Sequence, residues 1–186
     1  KDRIISMESS RASASLLNAS PHQTNLTSLS VSECAIKAKG VNALSKFILA
    51  NAAIASLTLA GNPLKLKGVQ ALCQGLSSSG SKLRSLNLSH CIVGPKGLKE
   101  ITAFLETPAA AVINSLTVDS TGNMRDKKVY TLTVGDETID LSKKNLGPAD
   151  VTLLTVWIQR PEVSALLNEV NMSGNPLTNI DSDISS

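Results

Sequence analysis

Three stretches of the chain run through the same alternation of apolar and polar positions and then change period. LTSLSVSECAIKAKG from Leu26, IASLTLAGNPLKLKG from Ile54 and LRSLNLSHCIVGPKG from Leu83 each place one polar residue between two apolar ones. That is the period of a half-buried strand. A turn-forming step follows, then a glycine, then apolar residues at helical spacing. INSLTVDSTGN from Ile113 begins a fourth copy. The anchor leucines Leu29, Leu57, Leu86 and Leu116 lie 28, 29 and 30 residues apart. The alternation predicts strands over 29–31, 57–59, 86–88 and 116–118. The change of period predicts helices after Gly40, Gly68 and Gly97, with Leu44, Leu72 and Ile101 facing the core.

The pattern resembles the leucine-rich repeat, L-x-x-L-x-L-x-x-N/C-x-L. Its long step, the glycine six residues past the Asn/Cys position and the helical tail GVQALCQGL are similar to the ribonuclease-inhibitor-like subclass. The resemblance implies an α/β solenoid with a parallel sheet on the concave side and helices on the convex side. It also implies that Asn62, with Cys34 and Cys91 in its place in neighbouring repeats, satisfies backbone groups where the chain leaves each strand. Cys34 and Cys91 stand two strands apart, roughly 9–10 Å at about 4.8 Å per strand, too far for a disulfide.

The fourth copy breaks step. VYTLTV and TIDLS alternate as strands around Gly135-Asp136-Glu137, so the expectation is a β-hairpin pairing 129–134 with 138–142 in place of the repeat helix. VTLLTVWIQR reads as the next helix, ended by Pro161, and ALLNEVNMSGNPL opens one more repeat. The domain expectation is an N-terminal flank or degenerate repeat over 1–25 and one repeat domain over 26–186, with the hairpin inserted at about 124–142. The chain starts without Met and closes on a polar NIDSDISS just after a turn-like SGNPL, so it reads as a piece of a longer or processed chain.

Composition narrows the function classes. Aromatic residues make up only 2% of the chain, so the core must be aliphatic. A net charge of +3 without basic–aromatic clusters argues against nucleic acid. The longest apolar reach is broken by Asn51, Ser56, Thr58 and Asn62, so no membrane insertion is expected. Three cysteines cannot all pair, which favours a reducing, cytoplasmic setting. His22 and His90 lack metal-ligand spacing, and the glycines lack a phosphate-loop ending. The expectation is therefore no enzyme, no metal and no cofactor.

Two surfaces remain as candidates for a protein partner. On the concave face, Ser30, Thr58, Asn87 and Thr117 stand between the paired apolar residues, and Asp119, Asp140 and Glu169 turn the far end acidic. On the edge, Lys39, Lys67 and Lys96 immediately precede the repeat glycines, with Lys37 and Lys65 two residues earlier. Stacked repeats align these lysines, and a lysine at a helix start opposes the macrodipole. The row suits either an acidic partner or plain solvation. The reading is a protein–protein recognition module. A structural scaffold segment without its own ligand is the alternative, as is a GTPase activator, which the resemblance also allows.

Overall fold

The computed structural model describes residues 3–6, 26–51, 53–77 and 82–177. Strand and helix alternate along the chain in the order β1 Arg3–Ser6, β2 Leu26–Ser30, α1 Ala38–Ala50, β3 Ser56–Thr58, α2 Lys65–Ser77, β4 Ser85–Asn87 and α3 Gly94–Leu105. A 3-10 turn at Pro108–Ala110 leads into β5 Ser115–Asp119 and β6 Val129–Thr133. Then come β7 Thr138–Asp140, α4 Pro148–Ile158, the short α5 Pro161–Ser164 and β8 Glu169–Asn171. Residues 7–25 of the N-terminal flank lie outside the described residues, and Arg3–Ser6 within it pairs parallel with β2.

The strands β1 to β5 run parallel in one sheet, with the anchor leucines in register. Leu29 faces Leu57, Leu57 faces Leu86, and Leu86 faces Leu116. Their side chains stack in one aliphatic core with Leu59, Leu88, Leu72 and Ile101. Fully burying such a side chain is worth about 1.5–3 kcal/mol. The helices form the second layer, α1 on α2, α2 on α3 and α3 on α4. Leu44, Leu72 and Ile101 point inward from it, all buried.

The helices begin before the repeat glycines, not after them. Gly40, Gly68 and Gly97 sit in the first turns of α1, α2 and α3. The reason is space. A Cβ built on Gly40 would lie 3.0 Å from Ile36, one on Gly68 2.9 Å from Leu64 Cβ, and one on Gly97 3.0 Å from Val93. In each repeat the core residue four positions earlier folds back against the turn, where a side chain at the glycine position would crowd it, most severely at Gly68.

At the strand exit of the second repeat, Asn62 is fully buried. Its Oδ1 accepts the N–H groups of Cys34 (3.0 Å) and Ile36 (2.9 Å) from the preceding repeat. Its Nδ2 donates to the carbonyls of Val31 (2.6 Å) and Leu59 (2.7 Å). One carboxamide thus joins two turns. Asn175 does the same further along, accepting from Leu146 N–H and donating to the carbonyls of Leu141 and Met172.

The hairpin expected from the sequence is present with different partners. β6 pairs antiparallel with β5, Leu116 facing Leu132 and Val118 facing Tyr130. β7 instead pairs parallel with β8 in a separate two-stranded sheet. The pairing of 129–134 with 138–142 is not made. β5 offers the nearest open edge, and the 120–128 turn returns the chain to it, closed by Ser120 N–H on the Lys128 carbonyl (2.8 Å). Pro161 also does more than end a helix. It opens α5, after α4 has stopped at Ile158.

Two substitutions test this architecture. Asn62→Ala strands buried peptides of two repeats and should lower stability by about 1–3 kcal/mol, where Ser56→Ala and Thr58→Ala do little; comparing urea midpoints decides it. An alanine in place of an unconstrained helical glycine stabilises by about 0.5–1 kcal/mol. Gly68→Ala should instead destabilise, by about 1–3 kcal/mol, because Leu64 occupies the space; a raised thermal midpoint would contradict the packing.

Candidate functional site

The turns that leave the strands decide what reaches the edge of the solenoid. Each takes a left-handed residue four positions after its anchor: Glu33 (φ 55°), Gly61 (φ 70°) and His90 (φ 57°). The first and third add a second one two residues on, Ala35 (φ 52°) and Ile92 (φ 56°), the second adds Lys65 (φ 54°), and the repeat after the hairpin has the same pair in Lys143 (φ 54°) and Asn145 (φ 59°). Left-handed backbone in a β-branched residue is a true outlier, and Ile92 is also 49% exposed. Ala35, Pro63 and Ile92 hold equivalent positions in three successive repeats, six residues past Leu29, Leu57 and Leu86.

Around them stand the lysines. Lys37, Lys39, Lys65, Lys67 and Lys96 are all exposed. Among the described residues, none of the five forms an ion pair; the only lysine that does is Lys128, with Asp126. Between the first two repeats lies a cavity of about 540 Å³. Ala38, Pro63, Leu64 and Leu66 give it an apolar lining, and the exposed Lys37, Lys65 and Lys67 border it. Lys65 N–H donates to the Cys91 carbonyl (3.2 Å), so the third repeat's turn, with Ile92 next in sequence, abuts the same edge.

The concave face is built differently. Ser30 and Ser32 hydroxyls bond each other (3.3 Å), as do Thr117 and Thr131 (2.8 Å). Asn87 Oδ1 accepts Ser89 N–H and Asp140 Oδ1 accepts Ser142 N–H, both at 2.9 Å. Asn171 repeats this with Ser173. The Ser142 amide holds the exposed Asp140 carboxyl below its usual range. Thr58 is half-buried on this face. Asp119, placed there by the sequence pattern, is not part of it: only 5% exposed, it receives His90 N–H on both carboxylate oxygens (2.9 Å). The carboxylate closes the left-handed turn at His90 instead of facing outward.

Alternation and charge rows also passed over a buried network. Asp150, 1% exposed, accepts Thr121 N–H (2.8 Å), Thr121 Oγ1 (2.6 Å), Gly147 N–H (2.8 Å) and Tyr130 Oη (2.8 Å). Burial, with Asp150 beside it, pushes the Tyr130 phenol well above its usual value. The network ties the hairpin to the repeat that follows it. Its signal was in the sequence all along, since Gly-Pro-x-Asp sets a proline and an acid in the first turn of α4. Nearby, Arg160 is buried over Trp157, 4.7 Å from the ring centre.

The three cysteines are buried thiols. Cys34 Sγ donates to Ser32 O (3.2 Å) and Cys91 Sγ to Leu59 O (3.1 Å). Burial pushes the Cys91 thiol up to about 11 and that of Cys73 up to about 12. The described residues contain no group of three or more His, Cys, Asp or Glu able to hold a metal, and no helix long and apolar enough to cross a membrane.

Strand, tight turn and helix, stacked in register through one parallel sheet, define a repeat solenoid. Family and relatives specify it further. The leucine-rich-repeat family model matches residues 22–45 and 81–101. The ribonuclease inhibitor of Mus musculus is 29% identical over 101 residues, 54% of this chain and 22% of that protein. The chain therefore spans about a fifth of that relative's length. Among solved structures, the tropomodulin C-terminal domain of Caenorhabditis elegans superposes with a TM-score of 0.51 at 15% identity, over 87% of this chain and 82% of its own. Leiomodin-1 actin-binding site 2 gives 0.52 at 18% identity, over 62% of this chain and 69% of its own. These structures share the fold. The chain carries leucine-rich repeats of the ribonuclease-inhibitor-like type.

The thiols give a pH prediction. In the folded state Cys73 and Cys91 keep their protons to about 12 and 11, whereas unfolded thiols ionise near 9. Above that value the folded state binds more protons than the unfolded one, so stability falls as pH rises. Urea midpoints should decline between pH 9 and 11, and less steeply in Cys73→Ala. At pH 8, Cys73 and Cys91 should react with a bulky thiol reagent only after unfolding.

Proposed function

We propose that this chain is a non-enzymatic protein-recognition module that meets its partner along the lysine edge. The observation behind this reading is a contrast in hydrogen bonding. Most polar groups of the concave face bond to one another or to their own backbone, so contact there would disturb bonds already made. The edge lysines carry charge with no counter-ion among the described residues. Stacking of α1 on α2 and α2 on α3 sets lysines from three successive helix starts in one row, about 8–10 Å from helix to helix. At water dielectric, neighbouring charges at that spacing repel by roughly 0.4–0.5 kcal/mol. An acidic surface relieves that repulsion. The ribonuclease inhibitor relative is consistent with recognition as the general task.

Reversing Lys39, Lys67 and Lys96 together to Glu should abolish capture of protein partners by the immobilised chain while leaving its circular dichroism intact. Capture by the unaltered chain should weaken between low and physiological salt, where the Debye length falls to about 8 Å. Reversals at Lys82 and Lys127, off the edge, should matter less. Unchanged capture and salt dependence after the triple reversal would move the contact to the concave face.

A further inference from the structure

The lysine edge is not uniformly charged, and its apolar component narrows what can bind there. We propose that the cavity between the first two repeats takes a short extended segment in which acidic residues alternate with aliphatic ones. This rests on the reading of the edge as the contact surface.

Three observations converge on it. The cavity is lined by apolar surface, with Leu64 buried and Ala38, Pro63 and Leu66 half-buried, and the exposed Lys37, Lys65 and Lys67 flank it. At about 540 Å³ it lies within the roughly 300–1,000 Å³ typical of ligand sites. A purely acidic surface would leave that lining in water, and a purely apolar segment would leave the lysines uncompensated. An extended segment presents alternate side chains to opposite sides, so one set can enter the cavity while the other meets the lysines.

Ile92 supplies the third observation. One repeat further along, an exposed β-branched side chain is held in left-handed backbone that glycine adopts without cost. The turn imposes this backbone, as it does at Ala35 and Asn145, but it does not call for an exposed β-branched side chain there. Backbone outliers of this kind concentrate at ligand contacts, and Ile92 extends the line of Ala35 and Pro63 past Lys65 towards Lys96. The segment therefore runs across the repeats, along the edge, with Ile92 as its second apolar contact.

Three synthetic peptides separate the components: (Glu-Leu)₄, (Glu-Ser)₄ and (Gln-Leu)₄. Titrated into the ¹⁵N-labelled chain, (Glu-Leu)₄ should shift the amides of Ala38, Leu64 and Leu66 saturably and bind about tenfold or more tightly than either control. Leu66→Ser and Ile92→Gly should each lower its affinity several-fold, and Ala38→Leu, which fills the cavity without removing any contact of the fold, should do the same. Equal binding of (Glu-Ser)₄ would overturn the proposal while leaving the lysine edge standing as a plain electrostatic contact. Equal binding of (Gln-Leu)₄, no binding of any peptide, or unchanged affinity in all three variants would overturn it too. So would sedimentation with phosphatidylserine vesicles in place of peptide binding, because a lipid surface would then be what the lysines and Ile92 meet. Loss of partner capture on triple lysine reversal tests the edge itself and is independent of these outcomes.

Discussion

Every repeat must turn its chain sharply at the end of a strand, burying the peptides of the turn inside the solenoid. That constraint governs most of what is seen. An unsatisfied buried peptide costs about 1–3 kcal/mol, and each turn has several. The answer in the second repeat is a single carboxamide, Asn62, which reaches back to the first repeat as well as to its own strand. Because the same side chain serves two turns, neither repeat can be complete without the other. The stacked leucines supply the bulk of the burial, but they are non-directional. The turn residues fix the register in which the leucines stack, and with it the alignment of everything the edge displays.

The constraint has more than one chemical solution, and that is why the fold was legible before the details. Leucine spacing and the Asn/Cys position are repeated signals, and repetition raises them above chance. The parallel strands and the inward helical residues follow directly from them. The start of each helix was less visible, because a glycine after a lysine reads as a boundary. In the structure it is a clearance, and the residue that demands it, Leu64 for Gly68, carries no mark of that role in the sequence. Asp119 was misplaced for a related reason. Alternation assigns it to a face of the sheet, whereas the empty left-handed amide of His90, 29 residues away, claims it for the turn.

The hairpin shows where periodicity stops being informative. Both 129–133 and 138–140 alternate well enough to be strands, and both are. Alternation says which side chains point inward but not which edge a strand will find. β5 ended the parallel run with an open edge, and an antiparallel return satisfies it with a nine-residue turn, 120–128. The consequence is a break in the sheet between β6 and β7 with no matching break in the helix layer, where α4 still packs on α3. Asp150 bridges the break, holding Thr121 in the turn after β5, Tyr130 on β6 and Gly147 ahead of α4. A buried carboxylate with four donors is costly to assemble and more costly to disrupt. Here it replaces the strand-to-strand bonds that the hairpin displaced.

The same contrast between satisfied and unsatisfied groups separates the two candidate surfaces. The concave face looks like the natural platform because it is open and polar. Its hydroxyls, amides and carboxylates, however, are largely engaged with Ser32, Ser89, Thr131 and Ser142, and a ligand would have to compete with those bonds at little net gain. The edge has the opposite character. Its lysines are aligned by the helix stacking that the interior requires, its cavity lies where Pro63 and Leu66 emerge from the turn, and its outlier Ile92 stands in backbone that the turn geometry imposes. None of these features lowers the free energy of the isolated fold. A surface that gathers charge, apolar area and strain in one line while the rest of the molecule satisfies its own groups is where a partner has most to offer.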